Sequence, residues 1–295
     1  MRDDPGGGEV SASTSRARAL KGRVLIIAGS DSGGGAGIQA DIKSVTALGG
    51  YAMTAITALT AQNTLGLFGI HAVPEAFIRQ QIELCLVDIG ADCIKTGMLA
   101  TAGVIETVVK ALEEFAADVP LVADPVMVAK GGAALLEPAA IDALKRRLLP
   151  RATLITPNLP EAEALSGRKI GSRDDMKAAG EALLALGPKA VLMKGGHLPG
   201  PTVVDVLVTG RGAARVFESP RIETRHTHGT GCTLASAIAT GLAQGLALAD
   251  AVARARAYVQ AAIRKAPGYG KGHGPLDHGV TVDPTLFDSD EFKEA

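Results

Sequence analysis

Short apolar runs alternate with helical stretches along most of the chain. The first run, at residues 23–30, is continuously hydrophobic and ends in small residues, as buried parallel strands do. Similar runs predict strands at residues 51–60, 93–98, 119–126, 153–158 and 190–194. Helical periodicity and helix-start signals predict helices at residues 38–48, 74–87, 103–117, 139–149, 174–185, 233–245 and 248–265, and a further helix that begins at Asn158.

Two further strands, at residues 202–208 and 213–219, form a predicted hairpin around the turn at 209–212. Elsewhere strands alternate with helices, a pattern typical of a doubly wound α/β domain with helices on both faces of the sheet. We expect one such domain over residues 23–280. A disordered N-terminal tail at 1–22 and a C-terminal tail at 281–295 flank it.

Composition narrows the class of partner. The 295 residues are 47% hydrophobic, which is ample for a core, and 30 basic against 31 acidic residues give a net charge of −1. The chain has no basic stripe that could follow a nucleic-acid backbone. Nucleic acid is therefore excluded as an expected partner.

The cysteines and the apolar runs bear on location. Cys85, Cys93 and Cys232 show neither a disulfide framework nor a metal-binding spacing. No apolar run approaches the roughly 20 residues that a membrane-spanning helix needs, and residues 1–22 lack the apolar segment of a secretory signal. We expect a cytoplasmic protein without a membrane partner.

The sequence HGTGCT at residues 228–233 joins a glycine turn to a long helix. Gly229 and Gly231 let the backbone N–H groups converge, and the helix start adds unpaired donors and a positive dipole end. Such a terminus binds phosphate, and it lowers the pKa of a thiol such as Cys232 toward neutrality. The same hexapeptide also fits a plain helix start with a packed cysteine.

Two nucleotide-binding motifs have to be considered for the glycine-rich loop at residues 31–41. Gly35, Gly37 and Ala40 satisfy the loose dinucleotide fingerprint, but no acidic residue closes a second strand about 20 residues later. The Walker phosphate-binding motif is also absent. Neither an NAD-binding domain nor a Walker-type NTPase is therefore predicted.

Polar side chains follow several predicted strands, where α/β proteins keep their ligands. Gln62 has the donors and acceptor that suit an aminopyrimidine edge, and Lys194 beside two glycines suits phosphate. A loop-capping amide, a solvated lysine and, for Met98, core packing are the simpler alternatives.

Three further residues suit a hydrated Mg²⁺. Asp124 stands at a strand tip before a proline, and Asn158 and Glu161 share one side of a helix start. A turn at Asp124 and an N-cap at Asn158 would explain the same residues without a metal.

Seven motifs in order resemble one family. They are AGSDSGGGAGIQAD at 28–41, QNT at 62–64, KTGM at 95–98, DPV at 124–126, TPNLPE at 156–161, MKGGH at 193–197 and HGTGC at 228–232. Together they resemble the hydroxymethylpyrimidine/phosphomethylpyrimidine kinases of thiamine biosynthesis. The resemblance spans about residues 24–278. It implies a ribokinase-like, three-layer α/β/α fold with a mostly parallel sheet.

The resemblance also implies a chemistry. ATP, with Mg²⁺, would phosphorylate 4-amino-5-hydroxymethyl-2-methylpyrimidine (HMP) and then HMP phosphate to the diphosphate. Cys232 would be the base, Lys194 would contact the phosphates, and residues 229–231 (Gly229, Thr230 and Gly231) would form an anion hole. Substrate contacts would fall on Gly29, Asp41, Gln62, Met98 and Val126, and the Mg²⁺ positions on Asp124, Asn158 and Glu161. The family further implies a homodimer.

One departure from the family lies in the first loop. The family often has Asp-Pro-Ser-Gly-Gly where this chain has Asp31-Ser32-Gly33-Gly34-Gly35, which loosens the loop without removing a functional group. A pyridoxal kinase of the same superfamily is the nearest alternative function. A pyrimidine-binding sensor without activity is an alternative of another class. The glycine-rich segment at residues 270–275 receives no role.

Overall fold

The computed structural model describes residues 22–128, 132, 134–210, 212–283 and 285. In this part of the chain the strands are β1 (Arg23–Asp31), β2 (Tyr51–Asn63), β3 (Gly66–Ala72), β4 (Cys93–Thr96), β5 (Leu121–Ala123), β6 (Leu154–Ile155), β7 (Val191–Met193), β8 (Thr202–Gly210) and β9 (Ala213–Pro220). The helices are α1 (Gly37–Ala47), α2 (Glu75–Asp88), α3 (Ala102–Phe115), α4 (Ala140–Ala143), α5 (Leu159–Ser166), α6 (Arg173–Leu184), α7 (Thr230–Ala243) and α8 (Leu248–Arg264).

The strands form a single sheet in the order β3-β2-β1-β4-β5-β6-β7-β8-β9. Strands β2, β1, β4, β5, β6 and β7 are parallel, whereas β3, β8 and β9 pair antiparallel at the two edges. The predicted three-layer α/β/α class with a mostly parallel sheet is therefore confirmed.

Two hydrophobic clusters lie on opposite faces of this sheet. Along β1, Leu25 and Ile27 join one cluster and Val24 and Ile26 the other, because successive side chains of a strand point to opposite faces. Helices α2 to α6 cover the first cluster, and α1, α7 and α8 cover the second. Both faces being buried explains why the central strands appear as continuous apolar runs.

Some elements differ from the sequence predictions. Strand β3 has no counterpart among the predicted strands, and α7 begins at Thr230 instead of residue 233. The helix expected at 139–149 is divided into α4, a π-helical turn (Leu144–Leu148) and a 3₁₀ turn (Leu149–Arg151). The predicted hairpin of β8 and β9 is present. None of the helices in the described ranges is both long and apolar enough to cross a membrane.

The predicted division into one domain at 23–280 and two tails stays a prediction. Residues 1–21 of the N-terminal tail and most of the C-terminal tail lie outside the described residues. What the fold does provide is a common edge, where the carboxyl ends of β1, β4, β5, β6 and β7 meet the N-terminus of α7.

Candidate active site

Lys194 and Asp124 form the centre of this edge. Lys194 Nζ lies 2.8 Å from Asp124 Oδ1, and Thr156 donates its hydroxyl to the same oxygen at 2.8 Å. Both charged side chains are largely buried, at 13% and 3% exposure. Burial opposes both charges, but the pair outweighs it: the pKa of Lys194 is raised and the pKa of Asp124 is lowered. Both groups are therefore charged near neutral pH.

Glu161 lies beside this pair at the start of α5. Burial raises the pKa of its carboxyl to about 7, and Asp124 adds to the increase while Lys194 opposes it. Glu161 accepts the Asn158 N–H at 2.8 Å, and the Asn158 side-chain oxygen accepts the Glu161 N–H at 3.0 Å. This reciprocal capping box uses the oxygen of Asn158 to hold Glu161. Asn158 therefore caps α5, and its expected metal role stays a prediction.

The anion loop, residues 228–232, packs against this charged pair. Gly229 has φ +82°, a conformation that favours glycine, and a Cβ there would overlap the carbonyl oxygen of Gly35. A Cβ at Gly231 would lie 3.2 Å from Lys194 Nζ and 3.6 Å from Asp124 Oδ2. Thr230 donates its hydroxyl to the Thr227 carbonyl at 2.8 Å. The first-turn N–H groups of α7 and the Lys194 ammonium therefore converge on one region.

Cys232 lies in the first turn of α7 and is half-buried. The expectation that the helix terminus lowers its pKa toward neutrality is wrong for this structure. Burial raises the pKa of the thiol to about 11, and Asp41 and Asp124 add to that, against the opposing effects of Lys95 and the Gly37 N–H. The dipole of one helix start does not offset the loss of hydration and two nearby carboxylates.

Asp41 lies in the interior of the protein, between the sheet and α7. Its side chain is fully buried, one oxygen lies 2.7 Å from Lys95 Nζ, and the other accepts the Ser236 hydroxyl at 2.7 Å. Both oxygens are thus engaged inside the protein. This side chain faces the sheet and α7, and its contact with a substrate stays a prediction.

The remaining substrate-side residues lie at the tips of β1, β2 and β4 and after β5. A Cβ at Gly29 would lie 3.0 Å from Met98 Sδ, so these two residues are in contact. Met98 is buried and Val126 half-buried. Half-buried Gln62 exchanges backbone hydrogen bonds with the Ser32 hydroxyl at 2.9 and 3.0 Å. Gly29, Met98 and Gln62 thus border the first loop together, and their substrate contacts stay predictions.

Sequence reasoning missed the carboxylate that organises this loop. Asp31 is 2% exposed and accepts hydrogen bonds from the N–H groups of Gly33 at 2.7 Å, Gly35 at 3.1 Å and Ala36 at 2.8 Å. Its Oδ2 also lies 2.8 Å from His228 Nε2. An aspartate two residues before a glycine is the available signal, because that pattern forms Asx turns. The link to His228 spans 197 residues and has no local signal.

The segment Gly270–Pro275, for which the sequence predicts no role, contacts two parts of the site. The His273 N–H donates to the Thr64 carbonyl at 2.8 Å and the Gly272 N–H to the Thr64 hydroxyl at 3.2 Å. The His228 N–H donates to the Gly274 carbonyl at 3.1 Å. This segment therefore ties the end of β2 to the anion loop.

The donor set for a metal is small. In the described residues, no group of three or more His, Cys, Asp or Glu side chains is placed to hold a metal ion. Asp124 and Glu161 supply carboxylate oxygens on neighbouring elements. Mg²⁺ is commonly held by one or two carboxylates, with water and substrate phosphates completing its shell. The residues present fit that kind of site.

Comparisons with known proteins identify one family. The family model described as phosphomethylpyrimidine kinase matches residues 31–277. The bifunctional thiamine biosynthesis protein ThiED of Geobacter sulfurreducens is 53% identical over 89% of this chain, which spans 53% of that protein. The hydroxymethylpyrimidine/phosphomethylpyrimidine kinase of Bacillus subtilis is 46% identical over 87% of this chain and 94% of its own length.

A solved structure is similar over the same region. An ADP complex of Bacillus subtilis pyridoxal kinase superposes with a TM-score of 0.82 at 40% identity, covering 88% of this chain and 98% of that one. The resemblance identified from the seven motifs is confirmed by the family model and the relatives. The chain belongs to the phosphomethylpyrimidine kinase family.

Proposed function

We propose that the chain transfers the γ-phosphoryl group of ATP to HMP and then to HMP phosphate, in thiamine diphosphate biosynthesis. One observation carries this proposal: the α7 N-terminus, the Cys232 thiol and the Lys194 ammonium lie together, with Gly231 against Lys194. Such an arrangement stabilises charge on a phosphoryl group in transit. The kinase names of the relatives and the ADP bound to the similar structure support ATP as the donor.

Each residue has a defined part in the first transfer. The hydroxyl oxygen of HMP attacks the γ-phosphorus, and its proton passes to the ionised sulfur of Cys232. The bond from the γ-phosphorus to the bridging oxygen breaks, and ADP leaves with that electron pair. Lys194 and the N–H groups of residues 229–231 (Gly229, Thr230 and Gly231) stabilise the negative charge on the moving group. A thiol whose pKa is about 11 is ionised in a small fraction of molecules, so this step accelerates as pH rises.

Mg²⁺ would be held by Glu161 and Asp124, partly through water. When bound, it would neutralise charge on the phosphate oxygens. The chain's own contribution is to place these two carboxylates, Glu161 through the cap with Asn158 and Asp124 through Thr156 and Lys194.

Substrate choice falls to the residues around the first loop. Gln62 would bind the amino group and ring nitrogen of the pyrimidine, with Met98 and Val126 against the ring and Gly29 leaving room beside Met98. Asp41 would lie behind these substrate-binding residues. The second candidate function is pyridoxal phosphorylation, which the similarity to a pyridoxal kinase favours.

A homodimer is also part of the proposal. The hairpin of β2 and β3 exposes Leu65, Phe68 and Ile70 at 63%, 73% and 46%, an unusual concentration of apolar surface. A second copy of the chain is the occupant we propose. Phe68→Glu should then convert a dimer to a monomer in analytical ultracentrifugation, and a monomeric native protein would contradict the proposal. We also propose a cytoplasmic location, which the three free thiols favour.

The deciding experiment measures ATP consumption with Mg²⁺ and HMP, HMP phosphate or pyridoxal as acceptor. We expect turnover of both pyrimidines and slower turnover of pyridoxal. Cys232→Ala should reduce phosphorylation of HMP by about 10²-fold, the usual scale of losing a general base. The loss should be smaller for HMP phosphate, whose attacking oxygen is already anionic.

Cys85→Ala is the matched control, because Cys85 is also a half-buried free thiol but lies on α2. It should leave both rates unchanged. Near-native HMP turnover by the Cys232 variant would remove this thiol from the base role, and faster pyridoxal turnover would reverse the order of the two candidate substrates.

A further inference from the structure

A buried charged residue lies between the sheet and α7 without a part in the mechanism above. Lys95, the third residue of β4, is fully buried, and its ammonium lies 2.7 Å from the equally buried Asp41. Strand β4 pairs with β1 and β5 in the centre of the sheet. A lysine at such a position is uncommon, because the interior of a sheet holds no water to solvate its charge.

The pair is connected to the helix that carries Cys232. The second oxygen of Asp41 accepts the Ser236 hydroxyl at 2.7 Å. Ser236 follows Cys232 by four residues on α7, so the two side chains lie on the same side of the helix. The Lys95–Asp41 pair therefore lies against the same helical face as the thiol.

The ammonium also points toward the ligand end of the sheet. A Cβ at Gly97 would lie 3.0 Å from Lys95 Nζ, which places the amino group level with the residues that follow β4. Gly97 precedes Met98, one of the proposed substrate contacts. The ammonium thus lies at the end of β4 that leads to Met98.

The cost of this arrangement suggests a function. Removing an ammonium and a carboxylate from water costs several kcal/mol for each ion, and apolar residues of similar volume often serve stability equally well. A charge placed here acts on whatever lies near it, since the surroundings screen it weakly.

Charged groups from four elements face Cys232. Lys95 on β4 and Lys194 after β7 favour the thiolate, whereas Asp41 on α1 and Asp124 after β5 oppose it. The Gly37 N–H at the start of α1 also favours the thiolate. Of the two lysines, Lys194 is paired with Asp124 at the phosphate side of the site, and Lys95 approaches from the interior.

We propose that Lys95 is a positioning residue for the phosphoryl transfer: its ammonium, held by Asp41 against the face of α7 that carries Cys232, stabilises the thiolate of Cys232. Asp41 is the restraint on this effect, since it holds the ammonium in place and offsets part of its charge. The catalytic consequence rests on the proposed function, in which the thiolate accepts the hydroxyl proton of HMP.

The test measures the thiolate directly. Ligand-free protein is treated with iodoacetamide, an uncharged reagent, over a series of pH values, and alkylation of Cys232 is quantified by peptide mass spectrometry. Lys95→Gln should slow alkylation at a given pH by about tenfold, the effect expected from removing one neighbouring charge. Cys85, on α2, serves as the internal control in every digest and should react at an unchanged rate.

Asp41→Asn separates charge from packing. Both substitutions break the same buried pair, but removing the carboxylate should accelerate alkylation of Cys232, and removing the lysine should slow it. Slower alkylation in both variants, or no change in either, would overturn the proposal. If Lys95→Gln does not fold, Asp41→Asn decides alone: acceleration supports the proposal, and an unchanged or slower rate overturns it.

Activity then distinguishes this inference from the proposed function. Lys95→Gln should reduce kcat for HMP and move its pH profile to higher pH, with a smaller effect on HMP phosphate. If Lys95→Gln and Asp41→Asn shift alkylation of Cys232 in opposite directions while Cys232→Ala stays fully active, Lys95 stabilises the thiolate but Cys232 is not the base. An inactive Cys232→Ala with no alkylation shift in either variant would keep the base role and remove Lys95 from it.

Discussion

Asp31→Asn tests how the first loop is held against the anion loop. The carboxylate of Asp31 accepts three backbone N–H groups and contacts the ring of His228, with no distance above 3.1 Å. Asparagine keeps the shape and the Oδ1 acceptor for Gly33. It replaces Oδ2, which serves Gly35, Ala36 and His228, with an NH₂ group that cannot accept these hydrogen bonds.

The magnitude follows from the pKa of Asp31. Burial alone would raise this pKa, but His228, a side-chain hydrogen bond from Gln62 and the Ala36 N–H together lower it from 3.8 to about 2. A shift of about two units corresponds to roughly 2.5 kcal/mol in favour of the ionised form. Because asparagine resembles the neutral acid, we expect the free energy of unfolding to fall by about 2 to 3 kcal/mol at pH 7.

The sign of the pH dependence is also determined. A carboxyl whose pKa is lower in the folded state stabilises the protein above its unfolded pKa, and the stabilisation disappears as pH falls from about 4 toward 2. Urea unfolding of the native protein and the variant should therefore give a constant difference from pH 7 to about 5 and a shrinking one below about 4. A difference below about 0.5 kcal/mol at pH 7, or one independent of pH, would refute the reasoning.

Three further results are expected. Gly229→Ala should abolish activity and lower the Tm, because a Cβ at this position would overlap the carbonyl oxygen of Gly35. The control is Gly212→Ala, which also has a positive φ but lies in open space and should retain activity. Equal effects of the two substitutions would contradict the close approach of Gly229 to Gly35. Lys194→Met should lower kcat and should also lower the free energy of unfolding by about 3 kcal/mol, because it leaves Asp124 buried without its partner. An unchanged urea midpoint would contradict the pairing of Lys194 with Asp124. The Mg²⁺ concentration for half-maximal activity should fall between pH 6 and 8 as Glu161, whose pKa is about 7, ionises, and Glu161→Gln should lose this dependence; a flat native profile would exclude Glu161.

Much of the fold follows from local pattern. Strands such as β1, β5 and β7 are buried on both faces, so their apolar runs mark them directly. Strand β3 escaped prediction because it is mostly exposed at the sheet edge and contains two glycines, so it has neither an apolar run nor alternation. Its position depends on pairing with β2, which no local window contains.

The site divides in the same way. Asp124, Asn158 and Lys194 lie at the ends of predicted strands, and the parallel topology alone brings the carboxyl ends of these strands to one edge. The partners of buried charges were not predictable. Lys95 stands in an apolar strand, and its partner Asp41 lies 54 residues away on a helix of the covering layer, so neither residue signals the other.

The charges at this edge balance in a way that bears on ligand binding. Lys95 is paired with Asp41 and Lys194 with Asp124, and Glu161 is a further buried carboxyl beside the second pair. With both ammonium groups already paired, burial prevails at Glu161 and raises the pKa of its carboxyl to about 7. A divalent cation beside Glu161 would supply the missing positive charge. Cation binding should then expel a proton from molecules in which Glu161 is protonated, so proton release should be larger below pH 7 than above it.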